Sequence, residues 1–365
     1  MNEVLHVAIL GCGRVAGHHV LTINNHPGLK LAAICDLDEA RMDALSGTEG
    51  VPRYVNYHYM FFRHPEIDVV AVITPSGMHF EHALESVRDY GKHVVIEKPV
   101  VMRISEGEIL ANAAQESAVH IFPVHQYRFN RCVQRIKQAV AGDELGDVFL
   151  ATVRMRWCRP QRYYDLSPWR GTYALDGGCC TNQGIHHLDM LRFFAGEVKR
   201  VNAKMSTFGA DIEVEDTAAV LLEFESGAIG IVEITTAARP DDYESSLSIA
   251  GSKGLAMLGG WATDKLVTFS PKPEEQELFS DTFEDAYGHG HNQIYAGVYD
   301  CIVNGGKAAV EFSDAMNTVK LLHAVYLSDE RQDWVDVAAG EESSRLGKPD
   351  AELASLYQTK RDSEV

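Results

Sequence analysis

The chain has 365 residues, enough for two domains at roughly 100–200 residues each. Apolar residues make up 45% and charged residues 23%, the balance of an ordinary globular protein with a sizeable core. The formal net charge of −19 excludes an overall basic surface, so neither nucleic acid nor an anionic membrane is expected as a partner.

The first 125 residues alternate strand and helix patterns, the βαβ rhythm of a parallel sheet. Strands are predicted at 6–10, 30–35, weakly near Tyr54, and at 68–73, 93–96 and 119–124. Helices are predicted at 15–25, 38–45, 80–90 and 105–116. The apolar start from Val4 to Leu10 lacks a basic flank and runs into glycines, so it reads as a strand rather than a signal peptide.

After His125 the rhythm changes. A helix near 132–141 leads into alternating strands at 148–157, 201–206, 218–224, 229–235 and 245–249. A helical insert at 185–194 interrupts them. Strands in succession predict an open, largely antiparallel sheet. Late helices are predicted at 292–303 and 313–329, and the polar tail from Gly340 as a loose arm or a short surface helix. The domains expected are 1–125 for dinucleotide, 126–338 for substrate and oligomerisation, and a tail at 339–365. The seven cysteines are odd in number and lack C-x-x-C spacing, which predicts free thiols, no zinc site and a cytoplasmic location.

Gly11-Cys12-Gly13-Arg14-Val15-Ala16 directly follows an apolar strand and opens a helix, the context that a dinucleotide fingerprint requires. Gly11 permits the tight turn, Gly13 lets the backbone approach a pyrophosphate, and Ala16 allows close helix–strand packing. The helix N-terminus offers N–H groups to phosphate. Asp36 ends the second strand, where it would accept hydrogen bonds from ribose hydroxyls and repel a 2′-phosphate. This favours NAD over NADP, with Arg14 as the residue that weakens the preference.

Three further polar clusters end strands at the same sheet edge: Thr74-Pro75-Ser76, Glu97-Lys98-Pro99 and His125-Gln126-Tyr127-Arg128. Ligands collect at such ends in open α/β sheets. Lys98 there is either a partly desolvated, chemically active lysine or an ordinary surface lysine. The run Gly177 to Asp189 begins as a flexible turn and is predicted to enter a helix that presents Asn182, His186 and Asp189 on one face. His186 is suited to take a hydroxyl proton as hydride leaves the same carbon. His187 points elsewhere and reads as a core histidine. A His186/Asp189 metal pair has no evident third ligand.

Glu97-Lys98-Pro99 together with Gly177-Gly178, Asn182, Gly184, His186 and Asp189 resembles the Gfo/Idh/MocA oxidoreductase family. Thr74-Pro75-Ser76 with His79, Gln126 with Arg128-Phe129-Asn130, and Trp169-Arg170-Gly171 extend the resemblance from Val7 to about Val335. It implies an N-terminal Rossmann domain and a C-terminal α/β domain on an open sheet. It implies Lys98 and His186 as the catalytic pair, with Glu97, Gln126, His79, Trp169 and Arg170 near the cofactor. It also implies a Lys98–Pro99 bond that is often cis, and a homo-oligomer, dimer or tetramer, packed through the sheets. Many members carry Asp where this chain has Asn182. Asn cannot take a proton, so the base role concentrates on His186.

Arg154, Arg156, Arg159, Arg162 and Arg170 crowd one stretch of an acidic chain, interleaved with Tyr163, Tyr164 and Trp169. They suit either a carboxylate or pyrophosphate with a stacked ring, or ion pairs on a strand face at an interface. Arg162 to Thr172, with Thr181 to His186, resembles the nucleotide-sugar 3-dehydrogenase branch. That branch acts on UDP-N-acetylglucosamine or its uronic acid for surface polysaccharides. It implies Arg128, Arg162, Tyr164, Asn182, His186 and Lys98 as substrate contacts. The expected activity is oxidation of a sugar or sugar-nucleotide CH–OH by NAD. The alternatives are a free sugar, polyol or inositol dehydrogenase, and a non-catalytic NAD-binding regulator.

Overall fold

The computed structural model describes residues 4–361. Six strands form an all-parallel sheet: β1 (Leu5–Leu10), β2 (Leu29–Cys35), β3 (Arg53–Tyr54), β4 (Val69–Val72), β5 (His93–Ile96) and β6 (Ile121–Pro123), in the order β3-β2-β1-β4-β5-β6. Val7, Ala8 and Ile9 of β1 and all four residues of β4 are fully buried, as expected for strands covered on both faces. Chain direction across the sheet reverses between β1 and β4, so the residues after Leu10 and Val72 share a switch point.

The second sheet has eight strands: β7 (Val148–Arg156), β8 (Val198–Ser206), β9 (Thr217–Phe224), β10 (Ile229–Thr235), β11 (Glu244–Gly251), β12 (Leu255–Gly259), β13 (Lys265–Phe269) and β14 (Val335–Asp336). Their order is β13-β12-β11-β7-β10-β9-β8-β14. Every pairing is antiparallel except β7 with β10, so the sheet is mixed but largely antiparallel. β9 and β10 alternate buried and outward positions, the mark of one covered face. The helix Ile185–Ala195 is buried along nearly its whole length and contacts β7 and β11.

Strands β12, β13 and β14 were not predicted, nor was the helix Tyr57–Arg63. Its sequence Tyr-His-Tyr-Met-Phe-Phe-Arg is aromatic-rich and poor in helix formers, but Asn56 caps it by accepting from the N–H groups of His58 and Tyr59.

The compact units also differ from the expected linear division. One comprises the described residues of Met1–Val124, His291–Met316 and Pro349–Val365; the other is His125–Gly290 with Asn317–Lys348. The helix His291–Asn304 therefore belongs with the nucleotide unit, where it packs on the helix Ala16–Asn25. Among the described residues the tail carries the short helix Ala351–Ser355, the second of the two expectations, and beyond it the Lys360 carbonyl accepts from Asn56 at 2.9 Å. All seven cysteines are free, and no helix among the described residues is long and apolar enough to cross a membrane.

Candidate active site

In the first unit the glycine turn is built as its sequence requires. Gly11 has φ +98°, and a Cβ there would lie 2.6 Å from the Ile73 carbonyl oxygen, so no other residue fits. Gly13 faces open space, with nothing within 4 Å of where its Cβ would be. Ala16 is fully buried at the start of its helix, and the N-cap is Val15, which has no polar side chain to satisfy the first N–H groups. Asp36 accepts the N–H of Cys12 at 2.7 Å and that of Asp38 at 2.9 Å, tying the turn to the end of β2. Arg14 is exposed. The open cradle at Gly13, the uncapped helix end and an acid at the ribose position fit a dinucleotide.

The other strand-end clusters of this unit are braced from behind. Thr74 is half-buried and its hydroxyl bonds the His82 ring at 3.0 Å; Ser76 is buried in a short 3₁₀ turn after Pro75. His79 is buried, with its two ring nitrogens 2.7 Å from the Pro99 carbonyl and 2.9 Å from that of Thr74. Its place is thus between two loops, and burial lowers its pKa. Glu97 is buried at the end of β5. Burial alone would raise its pKa, but hydrogen bonds from His19 at 3.1 Å and His291 at 3.4 Å hold it well below the usual carboxylate range. Lys98 follows, half-buried, and the Lys98–Pro99 bond is cis.

In the second unit, residues after β6 form a short 3₁₀ turn, Gln126–Phe129, beside the helix Ile185–Ala195. His186 is buried on that helix, its ring stacked on Tyr127 with centroids 4.4 Å apart, and His125 meets it edge-on at 6.4 Å. Tyr127 received no role from the sequence; its position in the strand-end cluster was the available signal. One turn on, Asp189 accepts both arms of Arg128, the Thr318 hydroxyl at 2.8 Å, and lies 3.4 Å from His125. Burial opposes ionisation of Asp189, but His125, Arg128 and Arg192 keep its pKa well below normal. Arg128 is buried and holds Asp189 in an ion pair through Nε and Nη2.

Asn182 also differs from expectation. The helix starts at Ile185, so Asn182 lies in the preceding turn and not on a helical face with His186 and Asp189. Its side-chain amide donates to Asp176, whose other oxygen accepts the Gly171 N–H at 2.7 Å. The turn needs Gly178, since a Cβ there would fall 2.0 Å from the Glu215 carboxyl. His187 is a core histidine bonded to the Ser245 hydroxyl at 2.8 Å. Gln126 is buried, and its side-chain oxygen has no hydrogen-bond partner among the described residues.

The arginines do not form one surface. Arg154 and Arg156 share a strand face and pair with Glu233 at 3.9 and 2.6 Å; Arg159 pairs with Asp242 at 3.0 Å. Arg162 is exposed on a short helix. Tyr164 is buried, its hydroxyl 3.1 Å from Thr236. Arg170 lies over the rings of Tyr163 and Trp169, 4.5 and 4.6 Å from their centres, and donates to the Tyr163 hydroxyl at 2.6 Å. Arg170 also lines a cleft of 420 Å³ together with Gln161, Asp165, Thr172, Asp211 and Glu213.

Residues 5–125 match the oxidoreductase family with an NAD-binding Rossmann fold, and residues 133–257 match the GFO/IDH/MocA C-terminal domain. The structure is similar to the WlbA dehydrogenase of Bordetella pertussis, solved in complex with NADH and UDP-GlcNAcA. That match has 30% identity and a TM-score of 0.85, covering 92% of this chain and 98% of the other.

The chain belongs to the Gfo/Idh/MocA oxidoreductase family.

The WlbA dehydrogenase of Chromobacterium violaceum, with the same two ligands, is similar at 31% identity and a TM-score of 0.83, covering 92% and 96% of the two chains. Myo-inositol 2-dehydrogenase of Thermotoga maritima is 26% identical over 256 residues, covering 68% of this chain and 74% of its own. As a Gfo/Idh/MocA member the chain is an oxidoreductase of the sugar and polyol dehydrogenase type, and NAD is its cofactor.

Proposed function

We propose that this family member oxidises a ring carbinol of a nucleotide sugar, UDP-N-acetylglucosamine or its uronic acid, at C3. The observation that supports this most is the likeness, across 92% of the chain, to two dehydrogenases solved with NADH and UDP-GlcNAcA. NAD, when bound, supplies the hydride acceptor. Gly11, Gly13, Val15 and Ala16 present the backbone to its pyrophosphate, and Asp36 accepts from its ribose hydroxyls. Thr74, Pro75, Ser76, Glu97, Gln126, Trp169 and Arg170 are assigned to the same ligand, with His79 bracing two of those loops.

His186 takes the hydroxyl proton, and Lys98 stabilises the alkoxide oxygen as the carbonyl forms. The two hydrogens of the carbinol thus leave as one hydride and one proton. Stacking on Tyr127 sets the plane of the His186 ring before substrate arrives. Asn182, held by Asp176, orients substrate through hydrogen bonds.

The outward face of the second sheet carries Leu221, Ile229 and Ile231, each more than 40% exposed, and supports pairing with a second copy. Arg154 and Arg156 with Glu233 lie on strands of this sheet, the interface reading of the arginine cluster.

NAD reduction with UDP-N-acetylglucosaminuronic acid, UDP-N-acetylglucosamine, free sugars and inositols tests the reading. Turnover with inositol or free sugar alone would favour the second reading. That reading draws support from the inositol dehydrogenase relative. NADH binding without reduction in any mixture would point to a regulator. Lys98→Ala and His186→Ala should each cost orders of magnitude in kcat with NADH binding kept. Full activity in either would remove that residue from the chemistry.

A further inference from the structure

Behind Lys98 sits a closed group of polar side chains drawn from three distant parts of the nucleotide unit. Glu97 directly follows β5, His19 lies on the helix that follows the glycine turn, and His291 opens the helix His291–Asn304. The three side chains are 7%, 0% and 1% exposed. His19 Nε2 is 3.1 Å and His291 Nε2 is 3.4 Å from the same Glu97 oxygen, Oε1. The other oxygen, Oε2, accepts the main-chain N–H of Lys98 at 3.1 Å.

Proton counting fixes the roles. An ionised carboxylate only accepts, so both Nε2 atoms donate. The other ring nitrogen of His19, Nδ1, lies 2.8 Å from the Tyr295 hydroxyl, which holds the ring from its far side. Three donors therefore converge on one buried carboxylate, which sits one residue before Lys98. A buried charge held by directed hydrogen bonds on both oxygens has little freedom to turn.

We propose that His19 and His291 are positioning residues that lock the Glu97 carboxylate and, through its hydrogen bond to the Lys98 N–H, fix the main chain from which the Lys98 ammonium reaches substrate. The inference rests on the catalytic reading of Lys98. His19 also sits one turn into the helix whose N-terminus holds the pyrophosphate cradle. The same ring therefore ties the lysine's loop to the cofactor's helix.

The test uses His19→Leu and His291→Leu, which remove the donor, and His19→Gln and His291→Gln, which keep an N–H in similar volume. Each is made in the wild-type chain and in Lys98→Ala. Turnover with UDP-N-acetylglucosaminuronic acid, NADH affinity by fluorescence, and amide exchange of the segment spanning Glu97 and Lys98 are measured. The Leu variants should lose about 10- to 100-fold in kcat while NADH affinity stays within about threefold. Exchange at the Lys98 amide should speed up, and the Gln variants should regain most of the turnover. In Lys98→Ala the same substitutions should cost nothing further, because the residue they act through is gone.

A wild-type kcat in the Leu variants would overturn the proposal. So would a penalty kept in full in Lys98→Ala, which marks a scaffold role. The three ligand atoms also lie within 4.8 Å of one another, a spacing that a metal ion can bridge. One equivalent of zinc or iron in the purified protein, lost in His291→Leu, would therefore overturn the proton network as well. Full turnover in Lys98→Ala alone would instead bring down the underlying catalytic reading, a result read without any histidine variant.

Discussion

Arg128 grips Asp189 through both arms of its guanidinium, Nε at 2.7 Å and Nη2 at 2.6 Å, with both side chains buried. The pair holds the turn after β6 to the helix that carries His186, one turn before Asp189. Removing one partner leaves the other charged and buried. Asp189→Asn should therefore destabilise the protein by about 3–5 kcal/mol, read from its denaturant midpoint. A loss below about 1 kcal/mol would mean that the pair is solvated.

Asp36 holds the turn through the Cys12 N–H, and in the proposed reading it also accepts from the cofactor's ribose hydroxyls. Asp36→Ser removes a charged acceptor for ribose hydroxyls and the bond to the Cys12 N–H. Each such bond is worth about 1.5–3 kcal/mol, so KM for NAD should rise about 10- to 100-fold with kcat nearly unchanged. Discrimination against NADP should fall. An unchanged NAD/NADP ratio in initial-rate assays would contradict the ribose assignment.

Gln126 offers a test in which stability and binding move in opposite directions. Its buried side-chain oxygen lacks a partner among the described residues. Gln126→Met should raise the melting temperature without cofactor, by the equivalent of about 1 kcal/mol, because an unsatisfied acceptor costs about that much. NADH should stabilise the variant less than the wild type in the same thermal-shift experiment. Equal NADH shifts would take Gln126 out of the cofactor site.

Glu215 gives the fold a pH dependence. Burial pushes its pKa up to about 7, against opposing hydrogen bonds from the Cys180 N–H and the Tyr326 hydroxyl. The folded state thus prefers the protonated acid, while the unfolded chain ionises near 4.5. Stability from this group is full below about pH 4.5 and is lost as pH rises towards about 7, up to about 3 kcal/mol. Glu215→Gln should flatten the melting-temperature profile over that window and melt higher than wild type at about pH 8. A parallel profile in the variant would assign the pH dependence elsewhere.

What was legible in the sequence is what local spacing encodes. The alternation of the first 125 residues, the glycine turn, Asp36 at the end of β2, and the order of Thr74, Lys98 and Gln126 at strand ends all depend on neighbours within about 20 residues. The family motif around Lys98 and His186 is likewise written in short runs. Helix starts were less secure: Asn182 reads as helical by periodicity, yet its amide bonds to Asp176 in the turn and the helix waits for Ile185. Such side chains compete with the helix for hydrogen bonds, and the outcome is decided by what they meet.

Only the tertiary structure decided which polar groups meet across long separations. Nothing local to Arg128 announces its partner Asp189, 61 residues away. The arginine stretch reads as one patch until strand pairing sets Glu233 beside Arg154 and Arg156. His291 carries no signal of its own, yet it lies against Glu97 across 194 residues of chain, and the segment around it belongs to the nucleotide unit. Buried charges must find partners wherever the fold brings them, and that requirement is absent from any local pattern.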